Sequence, residues 1–231
     1  QVFTAGPFDT GLLLAPYSPG NVFGEIHWAR QSDVWGRRKV LVVTTFFAAL
    51  TYIAFAYAPT LWAAIAIRIV SGFFSGTLST AQGFIADVST PERRAKTMGY
   101  FGAAFSLGFA FGPVLGGLFA GDDVAAASFR VPIFIAGGLS LLASLWCLSV
   151  LRDAVPPKGK GAPLPRYGEA IAFVRSRPLL SRLFVISFCG IAMFASMEAI
   201  YGLWSEENFG WNAKDLGVAF LAIGAGGLFA Q

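Results

Sequence analysis

Charge is scarce in this sequence. Of its 231 residues, 13% are Asp, Glu, Lys or Arg, where a water-soluble surface needs roughly a quarter. There is one histidine, and the two cysteines, Cys147 and Cys189, stand far apart inside apolar runs. With no CxxC or HExxH pattern, zinc lacks a ligand set and the cysteines read as small hydrophobic residues, so no metal site is expected. No phosphate-binding glycine loop of the ATP-dependent kind is present, which argues against a primary pump, and no cofactor is expected. No signal peptide is visible.

Apolar residues fill the gap: 55% of the chain is hydrophobic and the mean hydropathy is +0.63. That excludes intrinsic disorder as well as an ordinary soluble domain. A chain dissolved in a lipid bilayer remains, and the bilayer becomes its first partner. In a soluble protein a net charge of +4 would suggest nucleic acid, so the positions of the basic residues decide.

A helix that crosses about 30 Å of hydrocarbon needs roughly 20 apolar residues, because only a helix satisfies its own backbone there. Val40 to Ala58, Met98 to Phe119 and Val131 to Leu151 carry no charge, while Leu61 to Ala86 carries Arg68 and Leu183 to Trp204 carries Glu198. Two weaker segments, Phe8 to Trp28 and Leu216 to Gln231, bring the expected number of transmembrane helices to seven. The fold class is an all-α polytopic bundle. Basic residues test that arrangement independently, since short cytoplasmic loops collect Lys and Arg. The odd-numbered connections hold 14 of the 17 basic residues, which places segments 30–39, 87–97 and 152–182 on the cytoplasmic side of an inner or plasma membrane. The positive charge is a topology signal and implies no nucleic-acid partner.

Segment 152–182 is the one long connection. Pro156, Pro157, Gly159, Gly161, Pro163 and Pro165 make it a flexible linker between residues 1–151 and residues 183–231. Tyr167, Ala170, Ile171 and Val174 then recur at helical spacing, which fits either a short amphipathic interfacial helix or a solvated connector.

Five groups of residues carry chemistry. Asp33, Gly36 and Arg37 lie in the first connection, where glycine permits a tight turn and Asp33 can pair with Arg37 or a helix dipole. Asp87 and Arg94 flank the third. Both sets also fit plain inside-positive flanking charge. Arg68 sits roughly 10 Å below the outer end of its helix at 1.5 Å per residue, too deep to snorkel easily, so it faces either a functional cavity or a structural ion-pair partner. Glu198 lies roughly 22 Å from the inner end of its helix, at a similar depth, and burial favours a bound proton there. Gly108, Gly112 and Gly116 are four apart and form a stripe that admits close approach of another helix, with Pro113 and Gly117 beside it. Glu25 and His27 are expected near the inner end of the first helix, where their side chains either sit at the interface or join the charged residues there.

These strings resemble the major facilitator superfamily of secondary transporters. Asp33, Gly36 and Arg37 match its loop signature between helices two and three, although Ala29, Gln31 and Val34 depart from it. Arg68, Gly72 and Gly76 match its fourth-helix pattern, with Ser71 in place of Gln. Asp87, Thr90, Pro91 and Arg94 resemble the segment that follows, and Gly108 to Gly117 matches the fifth-helix motif of the proton-coupled antiporter branch, the tetracycline and multidrug exporters. The resemblance implies two six-helix halves built from three-helix repeats. It further implies a cytoplasmic charge latch of Asp33, Gly36, Arg37, Asp87 and Arg94, a proton as coupling ion, and a small organic molecule as substrate. On this alignment the seven spans correspond to helices two to eight. Gln1 is not Met and the last apolar run reaches Gln231, so the chain is expected to be a piece of a longer protein. An importer of sugars or metabolites uses similar signatures, and a non-transporting, receptor-like membrane protein keeps buried charges only to bind helices together.

Overall fold

The structure, a computed structural model, describes residues 12–13, 15–120, 130–152 and 167–229. Among the described residues there is no strand. The main helices are α1 (Tyr17–Trp35), α2 (Arg37–Ala56), α3 (Leu61–Phe74), α4 (Leu78–Val88), α5 (Pro91–Ala120), α6 (Arg130–Val150), α7 (Tyr167–Arg175), α8 (Pro178–Phe209) and α9 (Ala213–Phe229). Five segments are long and apolar enough to span a bilayer: α2, Leu61–Val88, Pro91–Phe119, α6 and α8. They coincide with five of the seven expected spans; the two weaker segments form α1 and α9, which are not among the helices long and apolar enough to cross. The chain folds as an all-α integral membrane protein.

Local signals set the boundaries. Thr60 caps α3 by accepting a hydrogen bond from the Ala63 amide at 3.2 Å. Pro91 and Pro178 open α5 and α8, where a missing N–H costs nothing, and Gly210 ends α8 in the left-handed conformation at φ 64°. Three expectations change. The first helix runs to Trp35 rather than stopping at Trp28, so the connection expected over 30–39 contracts to Gly36. The connection expected over 87–97 contracts to Ser89 and Thr90, leaving Arg93, Arg94 and Lys96 on the first turns of α5. The run from Leu61 is two helices, interrupted at Ser75–Thr77. Within 152–182 the amphipathic segment is helical as α7, while the proline-rich stretch 153–166 lies outside the described residues, as do Asp9, Asp122 and Asp123.

Lipid is as apolar as leucine, so helices associate through small residues and shared hydrogen bonds. On α6, Gly137, Ser140 and Ser144 form such a seam against α2. The Ser140 hydroxyl donates to the Thr45 carbonyl at 2.9 Å and the Ser144 hydroxyl to the Val42 carbonyl at 3.0 Å. A Cβ on Gly137 would stand 3.3 Å from the Tyr52 Cβ. A second seam joins α1 and α3. Gly20 and Gly24 lie under the Ile69 and Phe73 carbonyls, and Gly72 and Gly76 lie under Tyr17 and the Glu25 amide, each without room for a Cβ. The third joins α5 and α9, where Gly217 and Gly224 admit Pro113, Val114 and Ala110. Large apolar side chains such as Phe23, Trp62, Leu142 and Phe188 are exposed on the outside of the bundle, as a lipid-facing surface requires.

Candidate functional site

The turn between α1 and α2 builds a charge cluster. Gly36 adopts φ 96° and ψ 144°, a region open essentially to glycine alone, and this single residue folds α2 back over the last turn of α1. Arg37, the first residue of α2, then meets Asp33 at 3.2 Å and donates through Nη1 to the Ser32 hydroxyl at 3.1 Å. Its Nε donates to the carboxylate of Asp87 on α4. Three nitrogens of one rigid fork thus reach three partners on two other helices, which a lysine's point charge has no means of doing. The three charged side chains are only 21%, 31% and 30% exposed, so solvent screens them less than a free surface pair. Gly83 on α4 leaves the space the guanidinium fills. Arg94, expected in the same cluster, instead donates to the Ala86 carbonyl at 3.2 Å, capping the end of α4 beside Asp87. Replacing Gly36 by Ala should cost about 1–3 kcal/mol, read as a lowered melting temperature of the detergent-solubilised protein.

A second polar constellation lies about midway through the bundle. Between α3 and α4 the backbone leaves helical geometry at Ser75–Thr77, and hydrocarbon offers its freed amides and carbonyls no partner. α1 supplies them. Asn21 donates to the Ser75 hydroxyl at 3.2 Å and the Trp28 indole to the Phe73 carbonyl at 2.9 Å. Between them Glu25 accepts from the amides of Leu78 and Ser79, each at 3.1 Å, and from the Ser79 hydroxyl. Residues 21, 25 and 28 share one face of α1 by helical spacing. The interfacial position expected for Glu25 is therefore corrected: it caps a broken helix. His27 instead meets Trp28 edge-on and Phe73 at a tilt, with centroid separations of 5.0 and 5.5 Å.

Arg68, two turns outward of that break, meets aromatic faces. Its guanidinium carbon lies 4.7 Å from the Phe55 ring centroid and 5.9 Å from that of Tyr17. Among the described residues its buried Nε has no hydrogen-bond partner, and no carboxylate reaches ion-pair distance. Glu198 lies on α8, and its side chain is outside the described ones. α3 packs on α1 and α2, whereas α8 packs on α7 and meets α9 through Tyr201 and Phe220.

The glycine stripe also differs from expectation. A Cβ on Gly108, Gly112 or Gly116 would meet nothing within 4 Å among the described residues. α9 approaches the opposite face, that of Ala110, Pro113, Val114 and the buried Gly117, through glycines of its own. Four-residue spacing identifies a stripe of small residues, but it does not say which face a neighbour takes.

The sequence profile of the Major Facilitator Superfamily matches residues 1–231. The chain belongs to this superfamily. It is similar to the class B tetracycline resistance protein of Escherichia coli, 29% identical over 219 residues that make up 93% of this chain and 53% of the relative. The class G tetracycline resistance protein of Vibrio anguillarum is 32% identical over 222 residues, 93% of this chain and 54% of the relative. Multidrug resistance protein 2 of Bacillus subtilis is 25% identical over 212 residues, 89% and 52% of the two chains. The chain spans about half the length of these curated relatives.

Of the residues grouped by resemblance to the superfamily, Asp33, Gly36, Arg37 and Asp87 are gathered at one end of the bundle, with Arg94 beside them on the Ala86 carbonyl. Ser32, Gly83, Asn21 and Ser79 escaped the sequence reading, and Glu25 was expected at the interface. For the α1 residues a signal existed: Gly20 and Gly24 are four apart, as are Gly72 and Gly76. Two such pairs predict a close crossing that brings the polar face of α1 onto the fourth-helix segment.

Proposed function

We propose that the protein is a secondary active transporter that exports small organic molecules, drugs among them, in exchange for protons. Alternating access would rock residues 1–151 against the half that begins at residue 183, joined by the linker 152–182, in an inner or plasma membrane. The ends carrying 30–39, 87–97 and 152–182 are cytoplasmic in this reading. The observation that carries it is Arg68. A cation within the membrane span, held by two aromatic rings and with a buried N–H to spare, is a costly feature that makes sense as the contact for a substrate or for an acid on another helix. Glu198 is the acid we assign, through its depth. The cluster of Asp33, Arg37 and Asp87 is a latch that closes one face and opens in the cycle. Gly108, Gly112 and Gly116 offer a face for a further helix, and the names of the relatives, resistance to tetracycline and to multiple drugs, support export over import. No cofactor beyond the proton is required.

The test is proton release on addition of tetracycline or a cationic dye to proteoliposomes holding the product of the complete reading frame that encodes this chain. Arg68→Ala should lower drug-coupled proton release about 30-fold, the weight of one charge-assisted contact of about 2 kcal/mol. Glu198→Gln should abolish proton-driven movement and leave folding intact. Uptake of sugars or metabolites with the same coupling would instead identify an importer, and absence of any solute or proton movement would leave a non-transporting membrane protein.

A further inference from the structure

Away from the charge cluster and the broken helix, the chain makes an elbow where α8 enters the bilayer. α7 ends at Arg175 and α8 begins at Pro178. Arg177 between them has extended backbone, φ −118° and ψ 99°, and its carbonyl accepts the Ser181 amide at 3.0 Å. Ser176 is tied back to α7, its amide on the Ala172 carbonyl at 2.9 Å and its hydroxyl on that of Phe173 at 2.8 Å. The elbow is thus held by its own hydrogen bonds. Between the two helices lies an open groove of about 450 Å³, lined by Ile171, Val174 and Arg175 of α7 and by Ser181 and Phe184 of α8. The Ser181 hydroxyl spends its one donor on the Val174 carbonyl at 2.9 Å, and the lining is almost wholly apolar, so Arg175 contributes its stem rather than its head.

Depth and charge say what such a groove takes. α8 has 32 residues, about 48 Å at 1.5 Å per residue, against about 30 Å of hydrocarbon. Its first turns therefore stand in the headgroup layer, and the charge-free run that starts at Leu183 marks where hydrocarbon begins. The groove straddles that boundary, with Ser181 on one side of it and Phe184 on the other. Arg175, Arg177 and Arg182 surround it in the chain, all exposed, and no carboxylate occurs from Ala170 to Met197. The Arg177 guanidinium carbon lies 4.5 Å from the Phe173 ring centroid, which holds its charge beside α7. Among the described residues no ion pair engages any of the three. An apolar slot at headgroup depth with uncompensated cations around it suits a ligand that is apolar at one end and anionic at the other. A protein helix, 10–12 Å across, would seat only about one turn in this volume and would leave the arginines unpaired.

We propose that the elbow between α7 and α8 is a binding site for an anionic phospholipid, whose acyl chain occupies the groove and whose phosphate is held by Arg175, Arg177 and Arg182. The bound lipid ties the end of the linker to the first helix after it. The site needs α8 to span a bilayer and does not need the protein to transport anything, so this proposal and the transport reading fail separately.

The test uses the product of the complete reading frame with its cysteines, Cys147 and Cys189 among them, changed to Ser, and with a bimane fluorophore on Ile171→Cys, a lining position that is 66% exposed. The protein is reconstituted into phosphatidylcholine bilayers that contain increasing fractions of phosphatidylglycerol with brominated acyl chains, which quench the fluorophore on contact. Brominated phosphatidylcholine gives the reference series. Quenching should show a preference for the anionic lipid of at least about 25-fold, the weight of two arginines at about 5-fold each. Arg175→Gln should lower it about 5-fold, and Arg175→Gln with Arg182→Gln should bring it near parity. Arg175→Lys with Arg182→Lys should retain it, because a headgroup requires the charge and not the fork. The same fluorophore on Leu142→Cys, exposed on α6, should show no preference. Equal quenching by the two lipids at Ile171→Cys overturns the proposal, as does a preference that survives the double Gln variant. Quenching by neither lipid would mean that protein covers the groove, and relief of quenching by inorganic phosphate would mean that the arginines serve a free anion; either result also overturns it.

Discussion

Gly24→Leu should leave almost no folded protein in the membrane. Where α1 crosses α3, Gly24 lies beneath the carbonyl, carbonyl carbon and Cα of Phe73. These are backbone atoms, which have no alternative rotamer to adopt. A side chain there forces the helices apart, and the separation is not confined to one contact. It also pulls Trp28 from the Phe73 carbonyl and Glu25 from the amides of Leu78 and Ser79, exposing unpaired backbone at membrane depth. Overpacking alone costs about 1–3 kcal/mol, and each buried polar group left without a partner adds about 1–3 kcal/mol. Together these terms rival the whole stability of an ordinary domain, about 5–15 kcal/mol. The measurement is the monodisperse fraction of a fluorescent fusion in size-exclusion chromatography after solubilisation. Gly138→Leu is the control, because a Cβ there meets nothing within 4 Å among the described residues, and it should elute as the unmodified protein does. Equal loss in both variants would show that the α1–α3 crossing has no special weight.

The spans were legible because hydrocarbon imposes a one-dimensional rule, a minimum apolar length that the sequence either meets or does not. α1 failed that rule for a physical reason. Its polar residues Asn21, Glu25 and Trp28 serve the break in the neighbouring helix rather than lipid, so the feature that made α1 a weaker span is the feature that makes it informative. The break itself was hidden because Leu61 to Val88 contains no proline. Its mark is Ser75 and Gly76, a Ser/Gly pair of the kind found at kinks. At the charge cluster the resemblance grouped Asp33, Arg37 and Asp87, which meet in the structure, and Gly36 between charged residues announces the turn. The sequence did not place Arg94, whose partner is a carbonyl, or Gly83, whose contribution is the absence of a side chain. The stripe at Gly108, Gly112 and Gly116 shows the limit of spacing: it defines a face and leaves the occupant to the tertiary arrangement.

Gly83→Val should have nearly the effect of Arg37→Ala, although it removes no charge. Arg37→Ala removes the cation that Asp33 and Asp87 share. Losing two charge-assisted contacts on partly shielded groups should lower stability by about 2 kcal/mol at moderate salt. In a latch, that shifts the balance between closed and open forms about 30-fold. Arg37→Lys should recover less than half of the loss, because an ammonium lacks the fork that reaches Asp33, Asp87 and Ser32 together. A Cβ on Gly83 would collide with the guanidinium where it is fixed on all three partners, so valine should expel Arg37 and break the same contacts. A double-mutant cycle on melting temperature in detergent separates this from a general defect of α4. In the Arg37→Ala background the valine has no guanidinium to displace, so it should add less than about 0.5 kcal/mol, the limit for independent additivity being reached only if the two sites do not communicate. Full additivity would mean that Gly83 does not serve as the cradle for Arg37, and that the cluster owes its geometry to the Gly36 turn alone.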